Sequence, residues 1–511
     1  MDTSKIITDP AADPRGSRPV HNPANGTVIG HVVEADPAEI AHAVARSRAA
    51  QGDWDRTPWA RRKIALTQFS KLLSADADSW ADAIRAEVGK PRGEALGEVL
   101  TTLDAIRWTL KNAGKVLADR TIGPGWQRLM LIPNARLRWR PRGVVGVVGT
   151  WNYPLFLNAP AIVQALAAGN GVVWKPSENA ALCGQKLQNT IEACGLPVGL
   201  VSAVQGGAEV GRALASSKVD LGMFTGGLAA GRSALGAWGA NGVPTLAELS
   251  GFDPAIVMPD ATVKSAGGPL TWGAFVGSGQ TCVSIKRIYV IGDSGPWAID
   301  LARRAEALRV GDPGSGDVDL GPLISESGRR KFDETIARAV QKGGTLITSV
   351  NPSNQTGCFV RPAVILATTD APERELEGVF GPVVVIRGVA DEDEAVAAAN
   401  SSGFALGASV WGRDKARLRA VADRLEAGMV ALNDAVTTSA HSAAPFGGVK
   451  SSGHGRIKGE FGLREFSTSQ VVHALSPGGF RPQIFPYSAR LDRLMHLYRR
   501  LLHPAANRPK H

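Results

Sequence analysis

The chain has 511 residues, 44 % of them hydrophobic and 20 % charged, with a formal net charge of +10 and four cysteines. It is longer than one hydrophobic core can organise and too apolar for a disordered chain, so two or three ordered domains are expected. Cys183, Cys194, Cys282 and Cys358 form no C-x-x-C pair, which excludes a disulfide framework and a zinc centre; no metal is assigned, and a reducing, cytoplasmic setting fits.

Charge placement narrows the field further. Seven Lys/Arg against Asp492 put +6 into residues 476–511 and leave +4 for the rest, so no nucleic-acid partner is expected. Residues 1–17 lack the apolar centre of a signal peptide, and no 18-residue apolar run is present to span a membrane.

In chain order, residues 41–54 and 60–90 have the 3.6-residue apolar spacing of amphipathic helices, and Lys90-Pro91 predicts a stop. A helix over roughly 94–119 follows. Residues 126–140 then alternate apolar and polar side chains about Pro133-Asn134, which predicts a projecting hairpin. From Gly143 short apolar runs (VVGVVG, VVWKP, LVSAVQG, DLGMFTG) alternate with helices near 158–168, 179–194, 208–215 and 228–239. That alternation predicts a parallel sheet with crossover helices.

A second α/β series follows Gly251. Its expected strands lie at 285–291, 344–348, 363–367, 383–386 and 429–432, with helices near 297–308, 326–342, 392–399 and 414–425. Between Leu221 and Thr281 only Arg232, Glu248, Asp253, Asp260 and Lys264 are charged, which marks a buried region around the domain boundary. A carboxylate there is costly unless it is paired or functional.

Four motifs carry chemistry. In GTWNYP (149–154) the Asn152 amide at a strand's carboxyl end is able to donate to a developing oxyanion, although Asn-x-Pro also simply closes a turn. In VVWKPSE (172–178), Lys175, Ser177 and Glu178 suit a ribose at a strand end, or an ordinary capped helix. Glu248 lies in an apolar run that raises a carboxyl pKa, as a general base requires; it also reads as a strand-edge glutamate. Cys282 in SGQTCVS is by itself most simply a small buried apolar residue, but Gly277, Gly279 and Gln280 suggest an exposed loop. Such a loop would let the Cys282 N–H and Asn152 share one oxyanion.

Together, GTWNYPLFLNAPAIVQALAAGNGVVWKPSE, FTGG, ELSGFDP, SGQTCVS, VFGPVV and PFGGVKSSGHGR resemble, in order, the motifs of the NAD(P)-dependent aldehyde dehydrogenase superfamily. The resemblance spans about residues 20–475, including the 34-residue separation of Glu248 and Cys282. It implies an α/β fold, with a Rossmann-type cofactor domain, an α/β catalytic domain and a projecting oligomerisation hairpin. The divisions expected are 1–122 with 142–248 for the cofactor, 249–450 for the nucleophile, 123–141 with 451–475 for oligomerisation and bridging, and 476–511 as a tail.

The family's roles, carried onto this chain, make Cys282 the nucleophile, Asn152 and the Cys282 N–H the oxyanion donors, and Glu248 the activator of hydrolytic water. Lys175 and Glu178 resemble the adenosine-ribose pair. Trp151, Ser177, Thr225, Gly226, Gly227, Leu249 and Phe380 line the cofactor cleft, and Tyr153, Phe156, Thr281, Val283 and Phe446 the substrate tunnel. The G-x-G-x-x-G fingerprint is absent, which the family's variant mode of dinucleotide binding accommodates. Glu178 favours NAD, because a carboxylate repels a 2′-phosphate; NADP stays open.

Several positions depart from the pattern. Gly378 stands where the family places a ribose-binding glutamate, with Glu377 one step earlier; either a shifted backbone lets Glu377 substitute, or the cofactor is held loosely and turnover altered. Gly227 replaces a frequent pyrophosphate-binding serine, Ser250-Gly251 a common Gly-Gly, and Ile457 an acidic residue that often follows Gly-Arg. Beyond the resemblance, residues 489–502 place Leu491, Leu494, Met495, Tyr498, Leu501 and Leu502 on one helical face with arginines elsewhere. That pattern suits peripheral contact with an anionic membrane, or packing on a neighbouring subunit.

The expected activity is oxidation of an aromatic or medium-to-long aliphatic aldehyde to its acid. Alternatives are acyl transfer to coenzyme A, or a weakly active scaffold. A homodimer or homotetramer is expected, paired through the hairpin and a strand near 467–474.

Overall fold

The computed structural model describes residues 17–124, 132–349, 357–474, 485, 487 and 489–503. It falls into two compact units, Met1–Leu117 with Arg140–Thr468, and Ala118–Trp139 with Ser469–His511.

Among the described residues the larger unit holds two large sheets, beside two two-stranded ones, Arg18–His21 with Val28–Val32 and Phe404–Ala405 with Val449–Lys450. The first has six strands in the order Gly453–His454, Thr245–Glu248, Leu221–Thr225, Val144–Val148, Gly171–Lys175, Val201–Ala203. All are parallel except Gly453–His454, which runs antiparallel to Thr245–Glu248. Every residue of Val144–Val148, Gly171–Lys175 and Leu221–Thr225 is buried, as expected for parallel strands covered by helices on both faces. The strand order reverses beside Val144–Val148, and GTWNYP leaves the carboxyl end of that strand. A ligand crevice is expected at such a point.

The second sheet has seven strands in the order Thr345–Leu346, Ala363–Ala367, Val383–Val389, Ile285–Ile291, Asp253–Val257, Gly407–Trp411, Met429–Leu432. Only the first pair is antiparallel.

Some sequence expectations shift. The run at 60–90 is two helices, Trp59–Ala75 and Ala77–Val88, broken at Asp76; the second ends on Gly89 at φ 78°, ahead of Lys90-Pro91. The glycine-rich stretch before Cys282 contains a helix, Val263–Phe275, that periodicity does not predict. Gly267, Gly268 and Pro269 disfavour a helix locally, but Leu270, Ala274 and Phe275 are buried in the core of the second sheet, so packing overrides propensity.

The smaller unit contains most of a three-stranded sheet ordered Ser467–His473, Ala135–Pro141, Arg120–Ile122. The expected hairpin about Pro133-Asn134 is corrected here: Ala135–Leu137 pairs with Arg120–Ile122, and residues 125–131 lie outside the described residues. The segment 451–475 is likewise divided. Gly453–His454 closes the first sheet, Gly459–Glu465 packs on helices Arg92–Val116 and Ala159–Ala167, and Ser467–His473 joins the small sheet. Helix Ala489–Leu502 forms as expected, and among the described residues no helix is long and apolar enough to cross a membrane.

Candidate active site

Cys282 follows helix Val263–Phe275 and a tight turn, Val276–Gly279. Gly277, Ser278 and Gly279 have φ of 63°, 55° and 66°, so three successive residues hold the left-handed conformation. Gly279 has no alternative, because a Cβ there would stand 2.2 Å from Gly381 O.

The expectation of an exposed loop is overturned. Residues 276–281 are all buried, and Cys282 alone is partly accessible. The loop's polar groups are satisfied inside the protein. Ser278 Oγ donates to Gly321 O (2.8 Å), Gln280 accepts from Ile324 N (3.0 Å), and Thr281 Oγ1 donates to Val276 O (3.1 Å). Lys286 Nζ, also buried, donates to Gly279 O (2.9 Å) and Gly381 O (2.6 Å), tying this loop to the VFGP turn.

Two cavities meet at Cys282. One, of about 360 Å³, is lined by Tyr153, Phe156, Thr281, Val283 and Phe446, all five expected tunnel residues, and by Trp272. The other, of about 280 Å³, is lined by Trp151, Asn152, Glu248, Leu249, Gly378 and Phe380. Cys282 and Phe446 line both. The nucleophile, oxyanion donor and base expected from sequence are thus brought together by three separate segments.

Asn152 is fixed through both ends of its amide. Its Oδ1 accepts from Thr150 Oγ1 (2.9 Å) and its Nδ2 donates to Gln280 O (3.0 Å), which leaves one N–H for the cavity. Glu248 is buried, and no described residue hydrogen-bonds its Oε2. Burial pushes its pKa well above the usual carboxylate range, with Arg456 and Lys458 pulling it back. Burial, then Asp253 and Glu248, push the Cys282 thiol up to about 12, so it rests neutral.

A third cavity, of about 270 Å³, adjoins the second along Trp151, Thr225, Gly226 and Gly227, and extends past Lys175, Ser177 and Glu178. Lys175 Nζ donates to Glu178 Oε2 (3.0 Å), Gly206 O (2.6 Å) and Pro176 O (2.8 Å). Partial burial alone would raise Glu178, but Lys175, a backbone hydrogen bond and Arg18 together outweigh it and the carboxyl lies below its ordinary value. Helix Leu228–Ala240 starts at Gly227 with no side-chain cap, and nothing lies within 4 Å of where a Gly227 Cβ would be. Gly227 and Ala230 line this cavity, so the uncapped N-terminus of the helix adjoins it, and with the Lys175–Glu178 pair it suits a dinucleotide's pyrophosphate and ribose.

One expected residue is not brought to the site. Glu377 accepts from Ser402 Oγ (2.7 Å), away from the cavity that Gly378 and Phe380 line. Two residues important to the site escape the sequence reading, Lys286 and Lys458. Each is a lysine whose charge ends up buried, Lys286 inside the apolar strand Ile285–Ile291 and Lys458 after the glycine-rich GHGRI run. A cation within an apolar strand was the available signal for Lys286; Lys458 left none.

Comparison with known proteins identifies the family. The model of the aldehyde dehydrogenase family matches residues 11–472. The chain is 34 % identical over 477 residues to a 4,4'-diapolycopene aldehyde oxidase of Methylomonas sp, covering 92 % of this chain and 88 % of that one. It is also 34 % identical over 455 residues to succinate-semialdehyde dehydrogenase [NADP(+)] 1 of Mycobacterium tuberculosis, covering 88 % and 98 %. A crystal structure of a Mycobacterium tuberculosis aldehyde dehydrogenase complexed with NAD+ superposes with a TM-score of 0.85 at 30 % identity, covering 91 % and 95 %. The chain belongs to the aldehyde dehydrogenase family.

Proposed function

We propose that this aldehyde dehydrogenase family member oxidises an apolar aldehyde, aromatic or medium-to-long aliphatic, to its carboxylic acid, using Cys282, Asn152 and Glu248. The observation that carries this is the position of Cys282 at the meeting of an aromatic-walled cavity and the cavity holding Asn152 and Glu248. A nicotinamide bound on the Phe380 side would supply the hydride acceptor; relatives named for NAD+ and for NADP(+) both exist, and the Lys175–Glu178 pair favours NAD.

Cys282 Sγ adds to the aldehyde carbon as its thiol proton passes to a water molecule, and the carbonyl oxygen takes up negative charge toward Asn152 Nδ2 and the Cys282 N–H. Once the carbon has lost its hydride, Cys282 holds the acyl group as a thioester. Glu248 then takes a proton from water while the water oxygen attacks the thioester carbon, and the Cys282 thiolate leaves. The relatives' names span a diapolycopene aldehyde and succinate semialdehyde, so the apolar wall rather than the names supports the substrate class.

The test is reduction of NAD and NADP by purified protein with a chain-length series of aldehydes, with Cys282→Ala as control. Reduction rising with chain length or aromatic content, and lost in the variant, is expected. Preference for short or carboxylated aldehydes would overturn the substrate class, and reduction only with coenzyme A present would overturn hydrolysis.

We assign self-association, as a homodimer or homotetramer, to the small sheet, where Val471 and Val472 on the edge strand Ser467–His473 are 61 % and 41 % exposed. A monomer in sedimentation equilibrium would refute it. Helix Ala489–Leu502 carries Arg490, Arg493, Arg499 and Arg500 beside exposed Met495, Leu501 and Leu502, which supports peripheral contact with anionic membranes. Equal co-sedimentation of full-length and 489–511-deleted protein with anionic vesicles would remove that assignment.

A further inference from the structure

The segment from Gly453 to Lys458 wraps around Glu248. Gly453 pairs directly with Glu248 across the edge of the first sheet. Farther along, Ile457 and Phe446 exchange both backbone hydrogen bonds, 2.8 and 2.9 Å. Gly447, next to Phe446, approaches so closely that a Cβ there would lie 2.7 Å from Glu248 Oε1. This brings two cations of one segment, Arg456 and Lys458, to the base.

They are not equivalent. Arg456 Nη1 is engaged by Gly448 O (3.0 Å) and Gly455 O (2.6 Å). Lys458 is held by its backbone, whose N–H donates to Gln164 Oε1 (3.1 Å), with φ at 61°. Its buried Nζ donates to Ser439 O and lies 5.1 Å from the Phe156 ring centroid and 5.0 Å from that of Phe446. Both rings wall the cavity of Cys282. An ammonium with, among the described residues, one carbonyl acceptor and two ring faces is under-solvated unless an anion shares the space.

We propose that Lys458 is a positioning residue for the oxidation, its ammonium serving as the counter-charge that holds Glu248 as a proton-accepting carboxylate and favours the Cys282 thiolate. This rests on the assignment of Glu248 as base and Cys282 as nucleophile. Glu248 faces Arg456, Lys458 and Cys282; Cys282 faces Asp253, Glu248, Lys458 and Tyr153; Glu94 and Glu98 line the Cys282 cavity, with Lys90 paired to Glu98 and over the Tyr153 ring; and Lys331 lines the Glu248 cavity. Burial pushes Lys458 down to about 8, while Glu248 and Cys282 pull it up, so it carries its charge through the neutral range and sheds it above.

The test uses full-length Lys458→Met, Lys458→Gln and Lys458→Arg proteins and two readouts. One is the pH profile of Cys282 alkylation by iodoacetamide, followed on the Cys282 peptide by mass spectrometry, which needs no substrate. The other is the pH profile of steady-state cofactor reduction. With Met or Gln, Cys282 alkylation slows about tenfold below about pH 8, where Lys458 is charged, and converges on the wild-type rate above it, while the acid limb of turnover moves up by about one pH unit. Arg restores both. Gln keeps a donor for Ser439 O and so serves if Met does not fold.

Unchanged profiles in the neutral variants, or Arg shifting as far as Met, would overturn the proposal. Slower alkylation in the neutral variants, from a wild-type protein that oxidises no aldehyde, would instead overturn the proposed function and leave the electrostatic role of Lys458 standing.

Discussion

The Cys282 loop and the Gly378 turn line one cavity and are built in opposite ways. The loop is anchored at nearly every residue, by Ser278, Gln280, Thr281 and the Lys286 ammonium, and Gly279 touches Gly381. The turn is open: Gly378 has φ 78° and nothing within 4 Å of its Cβ position, and Glu377 is directed to Ser402. The difference teaches where pre-organisation is concentrated. Donors aimed at a developing charge lose value if they can move, whereas a ribose held by few contacts can be exchanged readily between turnovers.

The contrast can be broken most forcefully at the chemistry. Glu248→Gln should retain a single-turnover burst of cofactor reduction and slow later turnovers by roughly 10²–10⁴-fold. Asn152→Ala should lower kcat by about 10²-fold with little change in KM. A fall below tenfold would mean the rigid side is not aimed at the oxyanion.

Stability sharpens the same comparison. Gly279→Ala drives a methyl into the Gly381 carbonyl and should destabilise the protein by about 3 kcal/mol in denaturant titration. Gly378→Ala meets open space and should cost only about 1 kcal/mol, the penalty of its positive φ. Equal effects would erase the distinction.

Smaller effects probe the electrostatics. Because the free thiol is raised to about 12, its thiolate fraction grows with pH up to that value, so Cys282 alkylation should accelerate about tenfold per pH unit from pH 7 to roughly 11. A plateau below pH 9 would show a thiol already activated at rest. Smallest of all, Glu377→Gln should change the cofactor KM by less than about threefold, because its carboxylate serves Ser402. A tenfold rise would show that the turn closes on the cofactor.

Much of this was legible in the sequence because it depends on local pattern. Buried parallel strands announce themselves as apolar runs such as VVGVV and GVVWK, and six ordered motifs carry the family and the three residues proposed to react. The pairing of Arg120–Ile122 with Ala135–Leu137, the helix through Pro269 and the division of 451–475 were not legible, since each depends on a partner distant in the chain.

The sequence by itself determined which side chains are available for acyl chemistry, and that Gly378 cannot grip a ribose with a side chain it lacks. Only the tertiary structure decided that the Cys282 loop is buried, that Glu377 turns away, and that Lys286 and Lys458 place cations beside the loop and the base. The physical reason is that burial and charge proximity are properties of the surroundings. A lysine reads as solvent-exposed until the fold supplies the carbonyls, rings and carboxylate that hold its charge inside.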